Sequence, residues 1–384
     1  MRRRRPWLFP VIVALAIPAA PCSAVRSEPA AWRDPSPHRV KFATVAPDVQ
    51  LETLDWGGRG RAIVLLAGGG NTAHVFDEFA RKLTGRYHVY GITRRGSPPS
   101  SVPEDGYSAD QLGDDVVAAL NALHLKKPVL VGHSFAGQEM SNIATRHPTR
   151  VAAMIYLDAM HSWDAEYESQ GFYRIVQWRN QLDAFRRKFD ELVAEPWDSR
   201  PVAREMLGTN LPQLQTILET LTRIENGRPP RPDPAPADLT DFRAVQAWYA
   251  RGSKVVLPES EFRMMLATDE AGRPTMKRRR PRFVGPKIEA GKQRYPSVSV
   301  PALGIFAVMD DPGAANMQDP EQRANAQAYQ WFQQQRAARS IALFQRDLPH
   351  ARLVRVERAD HYVFLSNESE VLGHMNAFIA TLAR

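Results

Sequence analysis

Ser134 lies in the run Val129-Leu130-Val131-Gly132-His133-Ser134-Phe135-Ala136-Gly137, between a short apolar stretch and a helical pattern that reaches Arg146. A serine in that position can serve as a nucleophile. A sharp turn from strand to helix exposes the hydroxyl and strains its backbone. It also needs small residues two before and two after, because neighbouring chain passes close; Gly132 and Ala136 supply them. The same turn sets the serine at a helix N-terminus, where N–H groups stabilise an oxyanion, and Phe135 carries the natural first donor. The plainer alternative is a buried serine that caps a helix. A second chemically suggestive stretch is Gly68-Gly69-Gly70, which ends the apolar run Ala62–Leu66. Glycines suit a loop where backbone approaches a ligand. The run lacks both the G-x-G-x-x-G spacing and the lysine of a phosphate-binding loop. No His and carboxylate cluster has metal-ligand spacing, so neither a metal nor a cofactor is implied.

These residues must be held by regular elements. Apolar runs at Arg61–Leu66, Tyr87–Ile92, Val129–Val131, Val151–Leu157, Pro301–Val308 and Leu353–Val356 read as strands, with a further one within Val45–Leu54. Between them, Asn71–Leu83, Ser108–Leu125 and Gly137–Arg146 have helical periodicity. Ser108 with Gln111 forms a capping box, and Lys127-Pro128 stops that helix. Met317–Leu348 holds helical and polar segments, and Glu368–Leu382 closes the chain as a helix. Strands alternating with helices predict a mainly parallel sheet of the α/β class. The alternation stops between 160 and 295, where helical stretches and a Pro-rich break, Pro229–Pro236, occur without a clear sheet repeat.

From about residue 45 to the C-terminus the chain resembles the α/β-hydrolase superfamily. Gly132–Gly137 is similar to its nucleophile elbow, with Ala136 in place of the second glycine. Tyr90-Gly91-Ile92-Thr93-Arg94-Arg95-Gly96 is similar to the loop after an early strand of that fold. The resemblance implies a twisted, mainly parallel sheet flanked by helices, with a helical cap inserted before the acid-bearing strand. The implied boundaries are 41–159 and 296–384 for the two parts of the core and 160–295 for the cap. It also implies the order Ser, acid, His. His361, in Ala359-Asp360-His361-Tyr362 after the last strand, takes the base position; His350 and His374 fit it less well. The acid is expected after Pro301–Val308. Ala307 stands where the family has a glycine and points to Asp310, three residues on. Asp311 remains an alternative, as does Asp158 at the end of the strand after the elbow helix. Matching Ala67-Gly68 to the family's His-Gly assigns the second oxyanion donor to Gly69, with Gly70 one register away.

The resulting expectation is a serine hydrolase that cleaves a carboxylic ester through an acyl-enzyme. A serine nucleophile argues against the dehalogenases and epoxide hydrolases of this fold, which use aspartate. Other readings are an amidase or iminopeptidase, a ligand-binding member without turnover, and a cofactor-independent oxygenase or perhydrolase. The partner would be a small ester or amide. The aromatics Trp163, Tyr167, Phe172, Tyr173, Trp178, Trp248, Tyr249 and Phe262 of the cap are candidates for an apolar pocket.

Composition bounds the remainder. The 384 residues are 43% apolar and 24% charged, ordinary for a globular chain. Arg2–Arg5, the apolar run Trp7–Ala20 and the small residues ending at Ala24 have the layout of a secretory signal peptide spanning 1–24. A Pro- and Ser-rich leader, 25–40, follows. The run is short and proline-broken for a membrane span, so export to the periplasm or exterior is expected, by the general or the twin-arginine route. Cleavage would remove four arginines and no acids, lowering the formal charge from +8 to +4, and would remove Cys22, the only cysteine. No disulfide or thiolate chemistry could then occur. The densest basic run, Lys277–Arg280 with Arg282, has no aromatic interleaving, so a solvated loop is expected there and no nucleic-acid partner. Oligomeric state is not legible.

Overall fold

The computed structural model describes residues 32–159, 173–194, 200–229, 233–253, 255–295, 298–309 and 313–383; of 173–183 it describes the backbone only. The proposed signal peptide therefore lies outside the described residues. Met1–Pro35 and Ser36–Arg384 are two units, and every element below belongs to the second.

Two strands, β1 (Arg39–Ala46) and β2 (Val49–Gly57), precede those formed by the apolar runs: β3 (Ala62–Leu66), β4 (His88–Ile92), β5 (Val129–His133) and β6 (Ala153–Leu157). After the short pair β7 (Leu266–Thr268) and β8 (Pro274–Arg278) come β9 (Ala302–Val308) and β10 (Arg352–Glu357). Eight of them make one sheet in the order β1-β2-β4-β3-β5-β6-β9-β10. The pairs β1–β2 and β2–β4 are antiparallel, and the rest are parallel. The single strand expected within Val45–Leu54 is two, because Pro47-Asp48 turns the chain and Asp48 takes a left-handed φ of 59°.

Helices cover both faces. On α1 (Asp77–Leu83) and α12 (Glu368–Ile379), Phe79, Leu83, Val371 and Met375 pack on Ile63, Leu65, Val129, Val131 and Ile155. On α2 (Ala109–Ala122), α3 (Ala136–Arg146) and α10 (Pro320–Asp347), Val116, Leu120, Met140, Ile143 and Phe344 pack on Val64, Leu66, Leu130, Met154 and Tyr156. Successive residues of one strand thus feed opposite cores, as a pleated strand with both faces covered requires.

Between β6 and β9 lie α4 (Tyr173–Ala194), α5 (Arg200–Glu205), α6 (Leu211–Asn226), α7 (Phe242–Arg251), α8 (Glu259–Met265) and α9 (Val284–Ala290). The β7–β8 hairpin also sits there, a pair of strands that the sequence pattern did not show. Its residues Met276–Arg278 are exposed, so no buried alternation marked them. The short α11 (Val363–Ser366) follows β10.

The register of this sheet positions the chemistry. Leu66 pairs with Gly132, Gly132 with Tyr156, and Leu157 with Ile305. The carboxyl ends of β3, β5, β6 and β9 therefore open side by side on one edge, where ligands bind in open α/β sheets.

Candidate active site

Ser134 follows β5 directly and has a φ of 54°. A serine pays strain there, and the neighbourhood enforces it. The Ser134 N–H donates to the Leu157 carbonyl, while Gly137 N–H donates to the Ser134 carbonyl as α3 begins. A Cβ on Gly132 would lie 2.7 Å from Met140 Sδ and 3.1 Å from Ala136 Cβ. Glycine two before the serine thus leaves room for Met140 and Ala136, and a larger residue there would press on both.

His361 is brought to the same edge by the loop between β10 and α11. Its Nδ1 lies 2.6 Å from Asp158 Oδ2, and the other carboxylate oxygen of Asp158 accepts the Ala307 N–H at 3.2 Å. Asp158 itself has a left-handed φ of 43°. With Nδ1–H held by a carboxylate, Nε2 carries the lone pair, the form a general base requires. His133, next to the serine, donates from Nε2 to the His361 carbonyl at 3.0 Å, and the two rings are 4.5 Å apart. A carbonyl can only accept, so His133 carries its proton on Nε2. Burial and the adjacent His361 push its pKa well down, keeping the ring neutral. The elbow and the histidine loop are thereby tied together. Ser134 and His361 are not directly hydrogen-bonded among the described residues; such contacts commonly tighten only with substrate in place.

Asp310 and Asp311 lie outside the described residues. The carboxylate against His361 is Asp158, the alternative at the end of β6. The reason that order along the chain does not decide between them is geometric: β6 and β9 are neighbours in register, so an acid after either strand faces the same loop.

The glycine run packs against the elbow. A Cβ on Gly68 would meet His133 Nδ1 at 3.0 Å and Ser134 Cβ at 3.2 Å, and one on Gly69 would meet Phe135 Cβ at 3.4 Å. The N–H groups of Gly69, Gly70 and Phe135 make no hydrogen bond among the described residues. The carbonyls are occupied instead. Arg94 donates to Ala67 at 2.7 Å and to Gly68 at 3.1 Å, and Arg280 Nη1 donates to Gly69. Arg94 is buried and forms a forked pair with Glu139 of α3; burial pushes the Glu139 carboxyl up, against the pull of Arg94. This guanidinium braces the loop, in which Ala67 stands where the resembled family has a histidine. Nothing in the spacing of Arg94 and Glu139 along the chain announces their contact, although Arg94 lies in the segment after β4.

The edge beyond the glycines is also fastened. Glu261 of α8, fully buried, accepts hydrogen bonds from Asn71 Nδ2 at 2.9 Å and from Thr72 N–H and Oγ1–H. Asn71 Oδ1 in turn accepts from Tyr362 Oη at 3.1 Å. Burial raises the Glu261 pKa to about 6.

A cavity of about 390 Å³ opens over Ser134 and Phe135, walled by Gly69, Arg280, Ile288 and Lys292. None of the described cap aromatics lines it. Trp248 and Phe262 are buried in the core, and Tyr249 packs edge-on against Phe262. Trp163, Tyr167 and Phe172, and the side chains of Tyr173 and Trp178, lie outside the described residues.

A family model described as the alpha/beta hydrolase fold matches residues 61–295. The 2-(acetamidomethylene)succinate hydrolase of Mesorhizobium japonicum is 27% identical over 119 residues, covering 30% of this chain and 43% of that protein. A non-heme chloroperoxidase of Kitasatospora aureofaciens, CPO-A1, is 30% identical over 123 residues, 32% of this chain and 44% of that protein. The chain thus spans less than half the length of these relatives. The crystal structure of an E-2-(acetamidomethylene)succinate hydrolase superposes with a TM-score of 0.56 at 18% identity, covering 90% of this chain and all of that one. With the family model matching well over half of the residues, and the sheet, elbow and histidine loop arranged as described, the chain belongs to the α/β-hydrolase family.

Proposed function

We propose that the protein hydrolyses a carboxylic ester or a related acyl bond through an acyl-enzyme. Ser134 attacks the carbonyl carbon. His361 takes the serine proton and returns it to the leaving group, and Asp158 orients and stabilises the imidazolium. The oxyanion is received by the N–H groups of Phe135 and Gly69. Water activated by His361 then releases the acyl group. The observation that carries this reading is the 2.6 Å contact between His361 Nδ1 and Asp158, with a strained serine at the adjoining strand end. An amide is the second reading, favoured by the relative whose name denotes an acetamido compound.

The test is labelling with a fluorophosphonate probe. Wild type should be labelled, Ser134→Ala not at all, and His361→Ala and Asp158→Asn far more slowly. A folded wild-type protein that resists the probe and turns over neither esters nor amides would sink the proposal and leave a binding member of the family.

A further inference from the structure

The basic run Lys277–Arg282 divides in two. Lys277, Arg278, Arg279 and Arg282 are exposed, as a solvated loop would be, but Arg280 turns inward and is half-buried. It forms part of the wall of the cavity over Ser134 and also of an adjoining groove of about 880 Å³, whose rim carries Lys277, Arg278, Arg279 and Arg282. The two fully buried arginines among the described residues are each matched: Arg94 with Glu139, and Arg95 with Asp115 at 2.5 Å. Lys292, also in the cavity wall, pairs with Glu289 at 2.5 Å. Arg280 has no carboxylate partner among the described residues; its hydrogen bond is to the Gly69 carbonyl. Burial, with Arg94 and Arg278 nearby, lowers its pKa to about 10, and it remains charged at neutral pH.

A cation withdrawn from water without an anion is costly unless something supplies one. A guanidinium offers five donors in a fixed fork, and one bond to Gly69 leaves an edge for a bidentate carboxylate. We infer that the substrate of this site carries a carboxylate a few bonds from its scissile carbonyl, and that Arg280 receives it. The inference rests on the acyl-transfer reading above. Because Arg280 is fastened to Gly69, the residue assigned an oxyanion N–H, the charge would be held beside the reacting carbonyl and would fix its register. The exposed cations of the rim would draw the anion in at low salt.

The experiment follows the rate at which the fluorophosphonate labels Ser134 in the presence of glutarate, of the uncharged glutaramide, or of sodium chloride at matched ionic strength. Saturable protection by glutarate alone is expected. Arg280→Gln should raise the glutarate concentration needed by about tenfold or more, and Arg280→Lys, a point charge without the fork, should fall between. Labelling that glutarate and glutaramide slow equally, or that Arg280→Gln leaves equally protected, overturns this inference and leaves the hydrolase reading standing. Absence of labelling in folded wild type removes the hydrolase reading and this inference with it.

Discussion

Asp158 and Arg94 show how much a site depends on a second rank of side chains. Asp158 holds His361 by one short hydrogen bond and is itself held by the Ala307 amide. Asp158→Asn would keep the shape but favour the wrong tautomer, so kcat for a simple ester should fall by about 10³-fold or more. Asp310→Asn should cost far less, and a comparable loss there would transfer the acid role away from Asp158. Arg94→Lys keeps a charge but cannot fork to Glu139 while reaching both the Ala67 and Gly68 carbonyls. Its kcat should drop by about tenfold to a hundredfold as the oxyanion donors lose their setting, measured on the same ester. Ser134 and His361 could be read from residue type and position. Arg94 could not, because its partners lie 26 and 45 residues away along the chain and a guanidinium bound to carbonyls leaves no letter pattern.

At the scale of elements, β3, β5, β6 and β9 were legible because each is a largely apolar run, and the elbow helix because its periodic pattern ends at His147-Pro148. The β7–β8 hairpin was not, since its second strand is largely exposed and polar. The element that matters most for the site's edge is α8, which reaches the glycine loop through Glu261. Its folded pKa of about 6 stands above the ordinary 4.5. The stabilisation linked to its proton is fully present below about pH 4.5 and is lost as pH rises through 6. Across that window wild type should lose about 2 kcal/mol relative to Glu261→Gln, which does not titrate. Urea titrations of both proteins at pH 4 and pH 7 would show it; parallel curves at the two pH values would refute the assignment. Glu261→Ala should be worse at either pH, by about 2–4 kcal/mol, because the donors of Asn71 and Thr72 would be left buried without an acceptor.

For the whole molecule, two cores separated by one sheet carry the stability. Phe344 of α10 is fully buried against Tyr156 and Phe306, with ring centres 5.3 and 5.2 Å away. Phe344→Ala should cost about 3–5 kcal/mol in denaturant unfolding, and the loss should appear as lower stability more than as altered labelling of Ser134. No helix among the described residues is long and apolar enough to cross a membrane. We also propose that the chain is exported, on the strength of Arg2–Arg5 and the apolar run after them. N-terminal sequencing of protein recovered from an exporting host should begin just after Ala24, and an intact Met1 in the soluble fraction would refute cleavage.

The three carbonyls of Ala67, Gly68 and Gly69 are all grasped by guanidinium groups from elsewhere in the chain. A carbonyl is common to every residue, so this grip does not depend on which side chains the loop bears, beyond the room that Gly68 must leave. The loop's spelling is therefore free to drift between relatives while its shape is inherited through Arg94, Glu139 and Arg280. In a lineage of such proteins, the record of a preserved oxyanion pocket would be written as paired substitutions at positions 94 and 139, remote in sequence from the glycines they govern.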